Sequence, residues 1–240
     1  MVTRTSRHNN RPTRHPNGLN DFRPDGQFRN LAILNPLRYV TWADDFLKFT
    51  SGEWTNTKTG TGTAALSSTL GGGVLNLTNS ASSGDVETLQ PVAGLPFNFT
   101  AGKYLAASMR YQVDDATNSA ITFGLQAVNT TPFTVADGIT ISNPSGGASF
   151  TATVAKSSTA STLTGQGSHV ASAWQSVGFV YDPRNAPDEI QFWANGGFLC
   201  GLPLTNAPSV QLTPTFGVRN GTAAARTLLI DSLFFVMERT

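Results

Sequence analysis

Asp85 and Glu87 stand two residues apart in the run Asp-Val-Glu-Thr-Leu-Gln. On a strand that spacing puts both carboxylates on one face. Two carboxylates so placed could share acid–base work, one as nucleophile or base and the other as acid. The plainer reading is a solvated strand edge, and it is the one expected here. Three histidines complete the inventory of proton-transfer groups. His8 and His15 lie near the N-terminus with no acid beside them, and His169 sits in a Gly-Gln-Gly-Ser-His loop. None is spaced to serve a Ser or Cys nucleophile. Cys200, the only cysteine, is flanked by Leu199 and Gly201 and reads as a small buried hydrophobe. One thiolate excludes an intramolecular disulfide and a cysteine-based zinc site. Asp44-Asp45 and Asp114-Asp115 offer oxygens for Ca²⁺, but without a loop spacing that would build a cage. The second pair reads as a polar turn. No metal or cofactor is expected, and these residues lead to the expectation that the chain is not an enzyme.

The aromatic residues allow binding rather than catalysis. Trp42, Trp54, Trp174 and Trp193 could stack on pyranose rings or pack in a core. Trp193 is the exception to the core reading. It alternates out of phase with Ile190 and Phe192, so on a strand it points away from their face.

The elements that would position these groups are strands. The segments Lys103–Val113, Ser119–Val128, Gly138–Ser142, Phe150–Ala155, Trp174–Tyr181, Glu189–Ala194 and Thr227–Val236 alternate apolar with polar residues, and shorter strands are expected at 74–78, 85–89, 198–202 and 214–218. Asn195-Gly196-Gly197 marks a hairpin. Charged residues make up only 13% of the chain, and Gly, Thr, Ser, Ala and Asn fill the polar positions. That composition favours short strands and tight turns over helices. About a dozen strands without crossover helices imply an all-β antiparallel sandwich. No signal-peptide pattern and no apolar run long enough to span a membrane is visible.

The charge is unevenly spread. Up to residue 38 there are seven arginines against Asp21 and Asp25, a net of +5. The remaining nine basic and thirteen acidic residues give the rest of the chain −4. The organisation expected is therefore a basic extended arm over residues 1–38 and a β-sandwich domain over 39–240. Pro12, Pro16 and Pro24 block helix in the arm, and it carries too few apolar residues to fold alone. Arg4, Arg7, Arg11, Arg14, Arg23 and Arg29, with Phe22 and Phe28, are candidates for binding an acidic protein surface. Nucleic acid is disfavoured, because the arm lacks the aromatic interleaving of a single-strand platform. Leu31, Ile33, Leu34 and Leu37 form an apolar cluster suited to a subunit contact.

The run from Trp174, WQSVGFVYDPRNAPDEIQFWANGGFLCGLPL, resembles the concanavalin A-like, or laminin-G-like, jelly roll. Leu228–Leu233 (Leu-Leu-Ile-Asp-Ser-Leu), Asp44-Asp45-Phe46 with Trp54, and Val74–Leu77 fit the same pattern. Glycosidases of that fold carry a Glu-x-Asp-x-x-Glu strand. Here the acids of the first two positions are exchanged and Gln90 stands at the last, which argues against that activity. The whole construction, an arginine-rich arm before a Thr/Ala/Gly-rich sandwich, resembles phage capsid decoration (cement) proteins and head-fibre bases. That resemblance implies a structural protein of the virion exterior, made in the host cytoplasm. It would be a homotrimer whose arm binds the major capsid protein. The alternative is a carbohydrate-binding adhesion module that contacts a host-surface glycan through Trp193.

Overall fold

Residues that alternate apolar and polar along a strand give a sheet one apolar face that another layer must cover, and here a second sheet covers it. The computed structural model describes residues 38–92, 97–143 and 147–239. Sixteen strands follow in order: β1 (Tyr39–Asp44), β2 (Trp54–Lys58), β3 (Thr63–Leu66), β4 (Leu75–Thr78), β5 (Val86–Pro91), β6 (Phe97–Asn98), β7 (Leu105–Val113), β8 (Ser119–Gln126), β9 (Gly138–Ser142), β10 (Phe150–Lys156), β11 (Thr159–Gln166), β12 (Gln175–Tyr181), β13 (Glu189–Ala194), β14 (Gly197–Pro203), β15 (Gln211–Asn220) and β16 (Thr227–Glu238). The first sheet has the order β14-β13-β12-β7-β16-β4-β3, with β1 also on β16. The second has the order β11-β10-β9-β8-β15-β5-β2, with β6 also on β15. Every pairing of these strands is antiparallel. Among the described residues, no helix is long and apolar enough to cross a membrane.

The inward positions of the two sheets form one continuous core. Phe123 of β8 meets Phe235 of β16 at 5.5 Å between ring centres, and Trp54 of β2 meets Phe216 of β15 at 5.4 Å. After β1 the chain turns sharply at Phe46, whose φ of 50° is left-handed. Asp44 holds that turn by accepting the Phe46 N–H at 2.7 Å, and the Phe46 ring drops into the core beside Trp54 and Phe216. One acid of the Asp44-Asp45 pair is thus a turn anchor. The expected hairpin joins β13 to β14, with Asn195 (φ 49°) and Gly196 (φ 77°) as its two central residues. Positive φ at both positions is what such a two-residue turn needs.

Five strands lie where no strand was expected: β1, β2, β3, β6 and β11. β2, β3 and β11 read WTNTK, TAAL and TASTLTGQ and are mostly exposed on both faces, so they carry no clear alternation. They sit at sheet edges, where a single neighbouring strand supplies the pairing. β6 is only two residues long.

Candidate functional site

The Asp85–Glu87 pair is neither an open acid–base site nor the solvated strand edge expected. Glu87 lies opposite Val218 and Lys58 in the ladder, on the inward side, and is fully buried. Its Oε1 accepts the Asn56 side-chain N–H at 2.6 Å, while Oε2 has no partner. Gly62 lies directly against Oε2 and the Thr78 carbonyl, leaving no room for a Cβ. Burial pushes the Glu87 carboxyl above the usual range, against the Asn56 hydrogen bond and the Lys58 charge. Asp85 accepts the Ser80 hydroxyl beside Gly60. The loop between β2 and β3 therefore closes over both acids.

The other acidic pair also serves a turn. Asp114 accepts the Ser119 hydroxyl at 2.8 Å and the Thr227 N–H at 3.1 Å. Asp115 accepts the N–H groups of Thr117 and Asn118 and the Asn118 amide, which hold its carboxyl below the usual range. Arg226 closes the cluster at 3.1 Å from Asp115. Among the described residues no group of three His, Cys, Asp or Glu is placed to hold a metal ion.

His169 is buried between the rings of Phe150 and Tyr111. Its Nε2 is 2.5 Å from the Ala116 carbonyl, to which the neutral ring donates, and Nδ1 has no partner. Burial pulls its pKa below the ordinary imidazole value, opposed by the Ala116 contact and the Asp115 charge. Among the described residues, no serine or cysteine hydrogen-bonds it. Cys200 is buried in the core, where desolvation raises its pKa.

The tryptophans separate as their phases suggest. Trp54 is core, and Trp42 packs on it and on Phe235. Trp174 lies under the Arg110 guanidinium at 4.7 Å. Trp193 points to the outer face of β13, as expected, opposite Gly178 of β12. A register shift between Phe192 and Trp193 brings Phe198 of β14 opposite Trp193, and the two rings meet edge to face at 5.3 Å. Phe198 is 53% exposed. The same outer face carries Gln191 and Glu189, two and four residues before Trp193. Gln191 donates to Glu189 Oε1 at 2.9 Å. Gly201 lies across from Gln191, and its missing Cβ is what lets the Glu189 carboxylate lie over β14. A surface depression of about 400 Å³ adjoins them, lined by Asn185, Asp188, Glu189, Gln191, Gly201 and Pro203. The half-buried Trp193 ring and the exposed Phe198 ring thus stand on the same face as a hollow edged by two carboxylates. That arrangement suits a ligand with an apolar face and hydroxyl donors.

Of the remaining expected sites, Arg4, Arg7, Arg11, Arg14, Phe22, Arg23, Phe28, Arg29, Leu31, Ile33, Leu34 and Leu37 lie outside the described residues. The Glu189–Gln191 pair and Phe198 were missed from sequence. For Glu189 and Gln191 the signal was present, since both share the phase of Trp193; for Phe198 it was not.

No protein-family model matches this chain, and no curated protein matches it. Solved structures do match. The carbohydrate recognition domain of Emp47p has a TM-score of 0.58 at 11% identity, covering 84% of this chain and 97% of that one. Endo-1,3-beta-glucanase from Streptomyces sioyaensis has a TM-score of 0.56 at 14% identity, covering 83% and 96%. Endo-beta-1,4-glucuronan lyase from Trichoderma reesei has a TM-score of 0.57 at 13% identity, covering 81% and 94%. The fold is the concanavalin A-like jelly roll of lectins and glucanases. None of the three structures is a capsid protein. The expectation that the chain is not an enzyme is corrected by these likenesses, because the same sandwich carries glucanases and a lyase. That expectation had rested on the lack of a linear motif, and a sandwich can bring catalytic groups together from strands far apart in sequence.

Proposed function

We propose that the sandwich is a carbohydrate-recognition domain and that the outer face of the β13–β14 hairpin is its binding surface. The observation that carries this reading is the pairing of Trp193 with the exposed Phe198 at 5.3 Å, beside the hollow formed by Glu189, Gln191 and Gly201. The aromatic faces take the C–H face of a pyranose ring. Glu189 Oε2 and the Asp188 carboxylate accept its hydroxyls. The carbohydrate-binding neighbours support the reading at the level of the fold. The capsid-decoration reading rested on an arm that lies outside the described residues, and the surface of the folded body favours the carbohydrate reading.

Binding of the purified protein to a panel of immobilised glycans, compared with Trp193→Ala, tests it. Loss of a central aromatic anchor costs about 2 kcal/mol, roughly a thirty-fold weakening. Circular dichroism checks that the variant keeps its fold. Equal binding by both proteins, or no glycan bound by the unmodified protein, would sink the proposal.

A further inference from the structure

The segment 167–174 passes from β11 of the second sheet to β12 of the first, and only one of its residues is buried. His169 is 2% exposed, whereas every other residue of the segment is exposed or half-buried. The imidazole is therefore the segment's one deep attachment. It lies 5.7 Å from the Phe150 ring and 6.4 Å from the Tyr111 ring, measured between centres. Its Nε2 reaches the Ala116 carbonyl in the turn between β7 and β8, and Asn143 Nδ2 lies 3.2 Å from the same nitrogen. Nδ1 is buried with no partner.

The other ties are hydrogen bonds at the surface. His169 donates its backbone N–H to the Ala148 carbonyl at 3.0 Å, and Ser172 donates to the Val113 carbonyl at 2.7 Å. Val170 and Gln175 exchange two more, at 3.0 and 2.8 Å. Water replaces such bonds on opening with little net loss, so the ring decides how firmly the segment is held.

That ring is badly placed to take a proton. An imidazolium has two N–H donors, and here Nδ1 faces no acceptor. A buried charge needs a partner, and the groups around the ring do not supply one. In the β7–β8 turn, Asp115 is occupied by Thr117, Asn118 and Arg226, and Asp114 by Ser119 and Thr227. The Tyr111 hydroxyl of β7 is itself buried without a partner. β9 ends at the Asn143 amide, β10 presents the Phe150 ring, and the segment itself carries no Asp, Glu, Lys or Arg.

We propose that segment 167–174 is an acid-released strap: protonation of His169 expels its ring and frees the strap while both sheets stay folded. The open form uncovers Phe150, Tyr111 and the Leu199 side chain on which Gly167 lies. Burial holds the closed ring's pKa below 6.5, against the Ala116 contact and the Asp115 charge. The closed form is therefore fully favoured above pH 6.5, and that preference is lost as pH falls toward the closed ring's value. Over this window one proton is taken up on opening, so the ratio of open to closed molecules climbs about ten-fold per pH unit. His169 is the only histidine among the described residues, which assigns the effect to one group.

The test is hydrogen exchange of the full chain at pH 7.5, 6.5 and 5.5, corrected for the pH dependence of the intrinsic rate. The amides of His169 and Ser172 report the strap. Those of Phe123 and Phe216, paired across β8 and β15, report the sheets. Protection of the strap should fall by up to about ten-fold between pH 6.5 and 5.5 while that of Phe123 and Phe216 holds. In His169→Gln, which keeps an amide donor for Ala116 and does not titrate, strap protection should stay flat with pH. Should that variant lose its circular dichroism signal, His169→Phe, which keeps a ring between Phe150 and Tyr111, carries the same test. The inference is overturned if strap protection in the unmodified protein is constant from pH 7.5 to 5.5. It is equally overturned if Phe123 and Phe216 lose protection together with the strap, or if the folded variant follows the same pH profile as the unmodified protein.

Discussion

Replacing Glu87 by Gln is expected to raise stability at pH 8 and to leave it nearly unchanged at pH 4. The carboxylate is fully buried, accepts one hydrogen bond from Asn56 and has a second oxygen with no partner. Desolvation lifts its pKa above 4.5, and the Asn56 bond and the Lys58 charge only oppose that rise. A group whose folded pKa is raised contributes stability that is fully present below the unfolded value. That contribution is lost as pH climbs through the folded value. Each unit of the rise corresponds to about 1.4 kcal/mol. Gln has the same shape, keeps an oxygen for Asn56, and places an amide where the unpartnered oxygen stood, near the Thr78 carbonyl. A neutral side chain in the same place does not carry the desolvation penalty of the charge. With Asn56 and Lys58 already offsetting part of that penalty, a gain of about 1 kcal/mol at pH 8 is expected. Urea unfolding at pH 4, 6 and 8 measures it, with the slope checked for constancy. Glu87→Ala is the contrasting variant. It leaves the Asn56 amide without an acceptor and costs about 1–3 kcal/mol at every pH. A Gln variant less stable than the unmodified protein at pH 8 would show that the Glu87–Lys58 attraction exceeds the desolvation penalty, and the reasoning would fail.

Gly62→Ala is expected to destabilise by about 1–3 kcal/mol, because its Cβ would strike Glu87 Oε2 and the Thr78 carbonyl; thermal unfolding checks it, and a neutral result would mean that the β2–β3 loop shifts freely. His169 should make the protein acid-sensitive. Its folded pKa lies below 6.5, so its contribution is complete above pH 6.5 and lost as pH falls through that value toward the folded one. His169→Gln should flatten this part of the profile, which unfolding midpoints between pH 7.5 and 5 would reveal.

Most of the sandwich was legible because a strand with one face in the core must alternate. Gly138–Ser142 and Glu189–Ala194 carry that alternation and match β9 and β13 to the residue. β11 did not, because Thr, Ser and Gly occupy both of its faces and no core demands otherwise. The outward phase of Trp193 was readable from Ile190 and Phe192 alone. Its partner was not, because Phe198 reaches it only through a one-residue register shift, and such a shift leaves no trace in apolar spacing. The burial of Glu87 was hidden for a different reason. An acid on a short strand reads as solvent-facing, and only the return of Gly62 and Asn56 from another part of the chain encloses it.

The hairpin's place at the sheet edge is what separates its aromatics from the requirements of folding. Ile190 and Phe192 of β13, with Cys200 and Leu202 of β14, already fill the inward positions there. The outward positions do not face the core, and polar residues would serve them at no cost to it. Trp193 and Phe198 are apolar nonetheless. A purely structural pair would bury both rings, yet Phe198 remains more than half exposed. Their surroundings are not those of a subunit interface core either. Such cores are depleted in charge, and here Glu189 lies on the same strand face, with Asp188 lining the adjoining hollow. A small ligand that presents an apolar face to the rings and hydrogen-bond donors to the carboxylates fits this combination better than a protein surface does.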